Sequence, residues 1–265
     1  MRLPLLPALM LLTGLGAGVL VARRDQPAPK LDPVTTHGEW IAYANANGDT
    51  VRAYVAYPER KGKAPAIIVI HEIFGLTDWE PTVADDFARK GYVAIVPDLL
   101  SARFRSTRAL GDSARRMVGT LRREDVVGDL DATYRYLVAQ PATNRDRIGV
   151  IGFCWGGGTV WTYAAANPNL RAAVVCYGPL ADTMMLRTIK APVLGVYGEN
   201  DGRVTNSLPQ IAATMQALGK SFMADSYPGT GHGFLKPGRV GSGTAAAAKA
   251  QAAIDAFFAK QLEGK

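Results

Sequence analysis

Hydrophobic and polar positions along this chain follow two rhythms. Val51 to Tyr57 alternates at every second position, the pattern of a strand with one wet face. Ala66 to Ile70, Tyr92 to Val96, Ile148 to Ile151, Ala172 to Cys176 and Val193 to Tyr197 are short and almost continuously apolar, as strands buried on both faces are. A further strand is expected at Phe222 to Tyr227. Apolar residues recur at spacings of three and four near Trp79 to Lys90, Glu124 to Ala139, Gly157 to Ala166, Asn206 to Leu218 and Thr244 to Phe258, and predict helices there. Strands and helices taking turns imply an α/β fold: a mostly parallel central sheet with helices on both faces. Ligands are then expected at the carboxyl ends of the strands.

The 265 residues, 48% hydrophobic and 20% charged, suffice for one such domain, expected at 38–265. Ahead of it, Met1 to Val21 is an apolar and small-residue run with one early arginine, closed by Arg23 and Arg24. Residues 1–24 are therefore expected to be a signal peptide or an N-terminal membrane anchor, with attachment through residues 1–22 left open. Residues 25–37, carrying Pro27, Pro29 and Pro33, read as a linker. An exported protein, periplasmic, extracellular or anchored facing outward, follows from this. Lys plus Arg exceed Asp plus Glu by 30 to 23, with part of the excess between Arg103 and Arg123. Such an imbalance speaks to solubility and to anionic small ligands, and no nucleic-acid partner is expected.

The chemistry falls just after the apolar runs. Gly152-Phe153-Cys154-Trp155-Gly156-Gly157-Gly158 follows the strand ending at Ile151 and opens a helix. This is a nucleophile elbow, glycine–x–nucleophile–x–glycine, with cysteine in the central place. Small flanking residues let the turn be tight, and free N–H groups at the helix start favour a thiolate. The other cysteine, Cys176, ends an apolar strand without a glycine frame and reads as core. Nothing in the spacing calls for a disulfide between them.

In this fold the acid and then the base follow the nucleophile. Of three histidines, His37 precedes the domain core, His71 ends an early strand and is read as packing or bonding locally, and His232 lies in the late glycine-rich loop Pro228 to Phe234. His232 is the expected base. For the acid, the loop after Tyr197 offers Glu199 and Asp201; the shorter side chain in the turn before Gly202 is preferred. The loop His71 to Leu76, after the strand ending at Ile70, stands where a second oxyanion donor is placed, so the N–H groups of Ile73 and Trp155 are the expected hole. Clustered Cys and His ligands are lacking, and neither metal nor organic cofactor is expected.

These residues resemble the dienelactone hydrolase family of the α/β-hydrolase fold. His71-Glu72-Ile73-Phe74-Gly75 looks like its Glu-Ile-Phe-Gly signature and Gly152 to Gly157 like its cysteine elbow. Gly198-Glu199-Asn200-Asp201 and Gly231-His232-Gly233-Phe234 look like its acid and base loops, over about residues 38 to 260 in register. The resemblance implies Asp201 as the acid. It also implies that Glu72 contacts the cysteine at rest and is displaced by substrate. Two cations for a substrate carboxylate are implied as well, Arg103 in Pro97 to Arg103, and Lys236 where the family has arginine. Its activity would be cleavage of an ester or lactone through a thioester on Cys154, and a monomer is expected. A thioesterase or other acyl hydrolase, and an exported binding protein for small anions, are the alternatives.

Overall fold

The computed structural model describes residues 36–264. The expected export segment and most of the expected linker lie outside the described residues; Thr36 and His37 already open the first strand. Among the described residues no helix is long and apolar enough to cross a membrane.

Eight strands form one sheet in the order β1-β2-β4-β3-β5-β6-β7-β8. They are β1 Thr36–Ala44, β2 Thr50–Pro58, β3 Ala64–Ile70, β4 Val93–Asp98, β5 Thr143–Phe153, β6 Ala172–Cys176, β7 Val193–Gly198 and β8 Phe222–Tyr227. β1 pairs antiparallel with β2 and β2 with β4, and every other pairing is parallel. Every residue of β3, β4, β6 and β7 is buried, which is why the sequence shows unbroken apolar runs there. β1 was not foreseen: most of its residues are exposed, so it lacks the apolar signature.

Alternate residues of β3 feed two cores. Ala66, Ile68 and Ile70 belong to a core that also takes in Val126 and Leu130 of α2 (Arg123–Ala139), Val160 and Trp161 of α3 (Trp155–Ala166), and Ile211 and Met215 of α4 (Leu208–Ala217). Ile67 and Val69 belong to a second core with Ala84 and Phe87 of α1 (Trp79–Arg89) and Ile254 and Phe258 of α5 (Ala245–Phe258). Two-residue periodicity in the strand thus becomes two covered faces. The chain leaves β3 toward β4 on one side and returns on the other as β5, so the strand order reverses at β3. The crevice outside the carboxyl ends at such a point is where α/β sheets bind ligands. Ile70 pairs with Gly152 across it, so the His71 loop and Cys154 emerge side by side.

Candidate active site

Cys154 stands between β5 and α3 at φ 55°, half-buried. A non-glycine residue held there costs about 1–3 kcal/mol, so the surrounding packing must impose it. Glycines make that packing possible. A Cβ on Gly152 would lie 2.2 Å from the Gly156 carbonyl oxygen, and one on Gly156 would lie 2.4 Å from the carbonyl oxygens of His71 and Ile70. The Cys154 N–H donates to Cys176 O at 3.0 Å, pinning the elbow to β6. Cys176 itself is fully buried; burial pushes its thiol well above the usual range and leaves it inert. Both cysteines are free.

His232 comes from the loop after β8 and Asp201 from the loop after β7, and the two meet with Nδ1 2.5 Å from Oδ2. Asp201 is 6% exposed, so the contact lies in a site of low dielectric and is worth more than a surface pair. Nε2 of His232 is buried and makes no hydrogen bond of ordinary geometry among the described residues. The imidazole pKa is nevertheless raised above the usual histidine value, by the Cys154 sulfur first and by Asp201 next, with burial opposing both. With Nδ1 held by Asp201, Nε2 is the ring nitrogen left uncommitted. Glu199 is accounted for differently: its Oε2 accepts the Gly229 N–H at 3.0 Å and fastens the loop that carries the base.

The N–H groups of Ile73 and Trp155 donate to no acceptor among the described residues. They flank Cys154 from the β3 loop and from the first residue of α3. Beneath them, His71 is fully buried with its ring stacked on Trp155 at 5.5 Å. Its Nδ1 bonds Glu72 O at 2.8 Å and its Nε2 lies 3.4 Å from the Leu99 N–H, so both nitrogens are engaged and the ring acts as a floor. The loop is also tied from the side. Asp98 accepts the Thr107 N–H at 2.7 Å and its hydroxyl at 2.8 Å, and Thr107 Oγ1 accepts the Leu76 N–H at 3.0 Å. This buried chain leaves no mark in the sequence, because it joins residues that periodicity places in separate elements.

Two residues sit differently from the roles the resemblance implied. Arg103 lies 2.5 Å from Asp129 and 3.2 Å from Asp125, neighbours one turn apart on α2; its guanidinium is already matched by two carboxylates. Glu72 is 3% exposed and bonds Lys236 Nζ at 3.0 Å, while no hydrogen bond to Cys154 is formed among the described residues. Lys236 in turn lies 5.0 Å from the Trp79 ring and 5.9 Å from that of Phe74. A cavity of about 280 Å³ opens beside Trp155, walled by Leu121, Val126, Thr159 and Pro179 with Arg123 at its edge. No group of three or more metal-ligating side chains occurs among the described residues.

A glycine-framed elbow at the top of a parallel sheet, an imidazole–carboxylate pair beside it and two uncommitted N–H groups define an α/β-hydrolase. The model of the dienelactone hydrolase family matches residues 51–262, and the chain belongs to that family of hydrolases. A Yersinia pestis protein assigned as a carboxymethylenebutenolidase is 32% identical over 227 residues, covering 77% of this chain and 82% of its own. A Bradyrhizobium protein assigned as a lactonase for 2-oxo-3-(5-oxofuran-2-ylidene)propanoate is 32% identical, covering 74% and 83%. A Klebsiella pneumoniae crystal structure assigned as a dienelactone hydrolase superposes with TM-score 0.78 at 27% identity, covering 85% of this chain and 99% of that one.

Proposed function

We propose that the protein hydrolyses a small ester or lactone by two-step acyl transfer through Cys154. The observation that supports this most is the pairing of His232 with Asp201 through Nδ1 at 2.5 Å, which leaves Nε2 uncommitted in a chain whose strained, glycine-framed elbow carries Cys154. In the first step the thiol proton passes to His232 Nε2 and the sulfur bonds the carbonyl carbon. The oxyanion so formed is held by the N–H groups of Ile73 and Trp155, each worth about 3 kcal/mol in such a role. Collapse breaks the carbon–oxygen bond, and the alkoxide leaves with the proton from His232. Water then attacks the thioester, His232 takes its proton, and cleavage of the carbon–sulfur bond frees acid and thiol.

The two relatives named above carry names of small lactones bearing a carboxylate, and a substrate of that kind supports a role for Lys236. A substrate carboxylate would compete with Glu72 for Lys236 and release Glu72, the displacement that the resemblance implies. Arg103 is left out of substrate binding, because taking it would strip Asp129 of its partner. The cavity beside Trp155 suits the apolar remainder of the substrate. The apolar run at Met1 to Val21 supports action outside the cytoplasm.

Hydrolysis of a chromogenic short-chain ester with a pre-steady-state burst tests the reading. Turnover is expected to vanish in Cys154→Ala, and undiminished hydrolysis in that variant overturns it. Binding of the lactone without turnover by the unaltered protein would make it a binding protein instead.

A further inference from the structure

Phe74 follows Ile73 in the loop after β3, and 37% of its surface is exposed. Two cations from distant parts of the chain lie over its ring. Lys236 Nζ is 5.9 Å from the ring centroid, and the guanidinium carbon of Arg115 is 5.9 Å from it as well. Like charges repel, so two of them drawn to one side chain call for a reason. Lys236 is matched by Glu72 at 3.0 Å. Arg115 is matched by nothing: its guanidinium makes no ion pair and no hydrogen bond among the described residues.

The segment between β4 and α2 brings Arg115 to this place. Arg115 lies on the short helix Ala114–Val118. Ala114 and Val118 are buried in a small apolar cluster with Leu100, and Ile73 and Trp155 pack against that cluster. The helix is thereby anchored on the two residues whose N–H groups form the expected oxyanion hole. A cavity of about 460 Å³ opens here, with Phe74, Leu76, Arg108 and Arg115 in its wall and the carboxylates Asp78 and Asp112 as well. Asp112 precedes Arg115 by only three residues, yet the two form no ion pair and the guanidinium lies by the ring instead. Attraction to an exposed ring is weak and uses none of the guanidinium N–H groups, so the fork stays open to an anion while the ring limits its freedom.

We propose that Arg115 grips the carboxylate of the substrate together with Lys236, the two cations forming a clamp built around Phe74. The guanidinium supplies the bidentate geometry that an ammonium lacks. The substrate class is then an ester or lactone whose own carboxylate reaches the Phe74 side of the oxyanion loop. The proposal rests on the protein being an ester or lactone hydrolase.

Steady-state hydrolysis of two para-nitrophenyl esters by the full chain tests it. One is the half-ester of glutaric acid, which keeps a free carboxylate, and the other is the valerate, a neutral ester of the same chain length. Arg115→Met is compared with Arg116→Met, which removes the same charge from the next residue, also exposed but outside the wall of the cavity. Arg115→Met is expected to raise KM for the half-ester about tenfold, as loss of a hydrogen bond between charged groups implies, with kcat little moved and a far smaller change in KM for the valerate. Arg115→Lys, which keeps the charge without the fork, is expected to fall between Arg115→Met and the unaltered protein. Arg116→Met is expected to leave both KM values as they were. A half-ester KM that Arg115→Met does not move, that rises equally for both esters, or that rises equally in Arg116→Met overturns the proposal. Hydrolysis of the valerate but not of the half-ester by the unaltered protein removes the clamp and leaves the hydrolase standing. Hydrolysis of neither ester removes both.

Discussion

Lys236 Nζ lies 3.0 Å from Glu72 Oε2, so a cation just after the base loop is held by a carboxylate of the loop that follows β3. Glu72 is 3% exposed, and a buried carboxylate stripped of its cation is costly. The pair can therefore report on substrate charge: an anionic substrate competes for Lys236, whereas a neutral one leaves the pair closed. Lys236→Met is expected to raise KM for a carboxylate-bearing ester about tenfold, the equivalent of ~1.4 kcal/mol, and to change KM for a neutral ester of the same shape far less. Steady-state kinetics on the matched esters checks this; equal losses for both would remove Lys236 from charge recognition.

Asp201 and Glu199 make a paired test, because they are two residues apart and do different work. Asp201→Asn keeps the size of the side chain but lets the imidazole adopt the wrong tautomer, a change that lowered kcat about 10⁴-fold in a serine protease triad. A fall of at least about 10²-fold in kcat is expected here with KM little moved. Glu199→Gln retains an acceptor for the Gly229 N–H, and its kcat is expected to stay within about threefold of the unaltered enzyme. The reverse ranking in single-turnover assays would move the acid to Glu199.

The raised pKa of His232 has a testable sign. Its imidazolium should persist to higher pH than that of a free histidine, because the Cys154 sulfur and then Asp201 favour the charged ring over the opposing effect of burial. Folding therefore gains from this group fully below the ordinary histidine pKa, and the gain is lost as pH rises through the folded value. In Cys154→Ala the larger of the two favourable influences is gone. The His232 ring titration followed by NMR is expected to shift to lower pH in that variant, and an unchanged or higher midpoint would separate the sulfur from the ring.

Arg103 is expected to matter for stability rather than for chemistry. Asp129 is fully buried and also accepts from Asn45 Nδ2 at 2.8 Å. Removing the guanidinium leaves that carboxylate short of its cation, which costs about 3 kcal/mol in comparable buried pairs. Arg103→Met should lower the urea midpoint accordingly while kcat/KM per folded molecule holds. Stability unchanged with a higher KM for anionic esters would return Arg103 to the substrate.

Most of the sheet could be read from the chain because its strands are buried on both faces, so apolar runs mark them directly. β1 escaped because its support is mostly polar and distant: Tyr43 bonds Thr133 and stacks on Tyr136 of α2, which no local pattern reports. Cys154, His232 and Asp201 could be picked out as candidates because each lies in a glycine-containing loop after a strand, where backbone geometry constrains sequence. The pairing of Arg103 was hidden for the converse reason. Its partners Asp125 and Asp129 lie on a helix more than twenty residues away, and a side-chain pairing across elements leaves no trace in spacing.

The central claim is that an acyl group passes through the sulfur of Cys154. Intact-mass and peptide mass spectrometry of the enzyme quenched with acid during the burst on a slow chromogenic ester measures this directly. An increment equal to the acyl group, on the peptide that carries Cys154 and absent from Cys154→Ala, is the predicted result. Turnover at full rate with no acyl increment on that peptide, or with the increment on another residue, would contradict it.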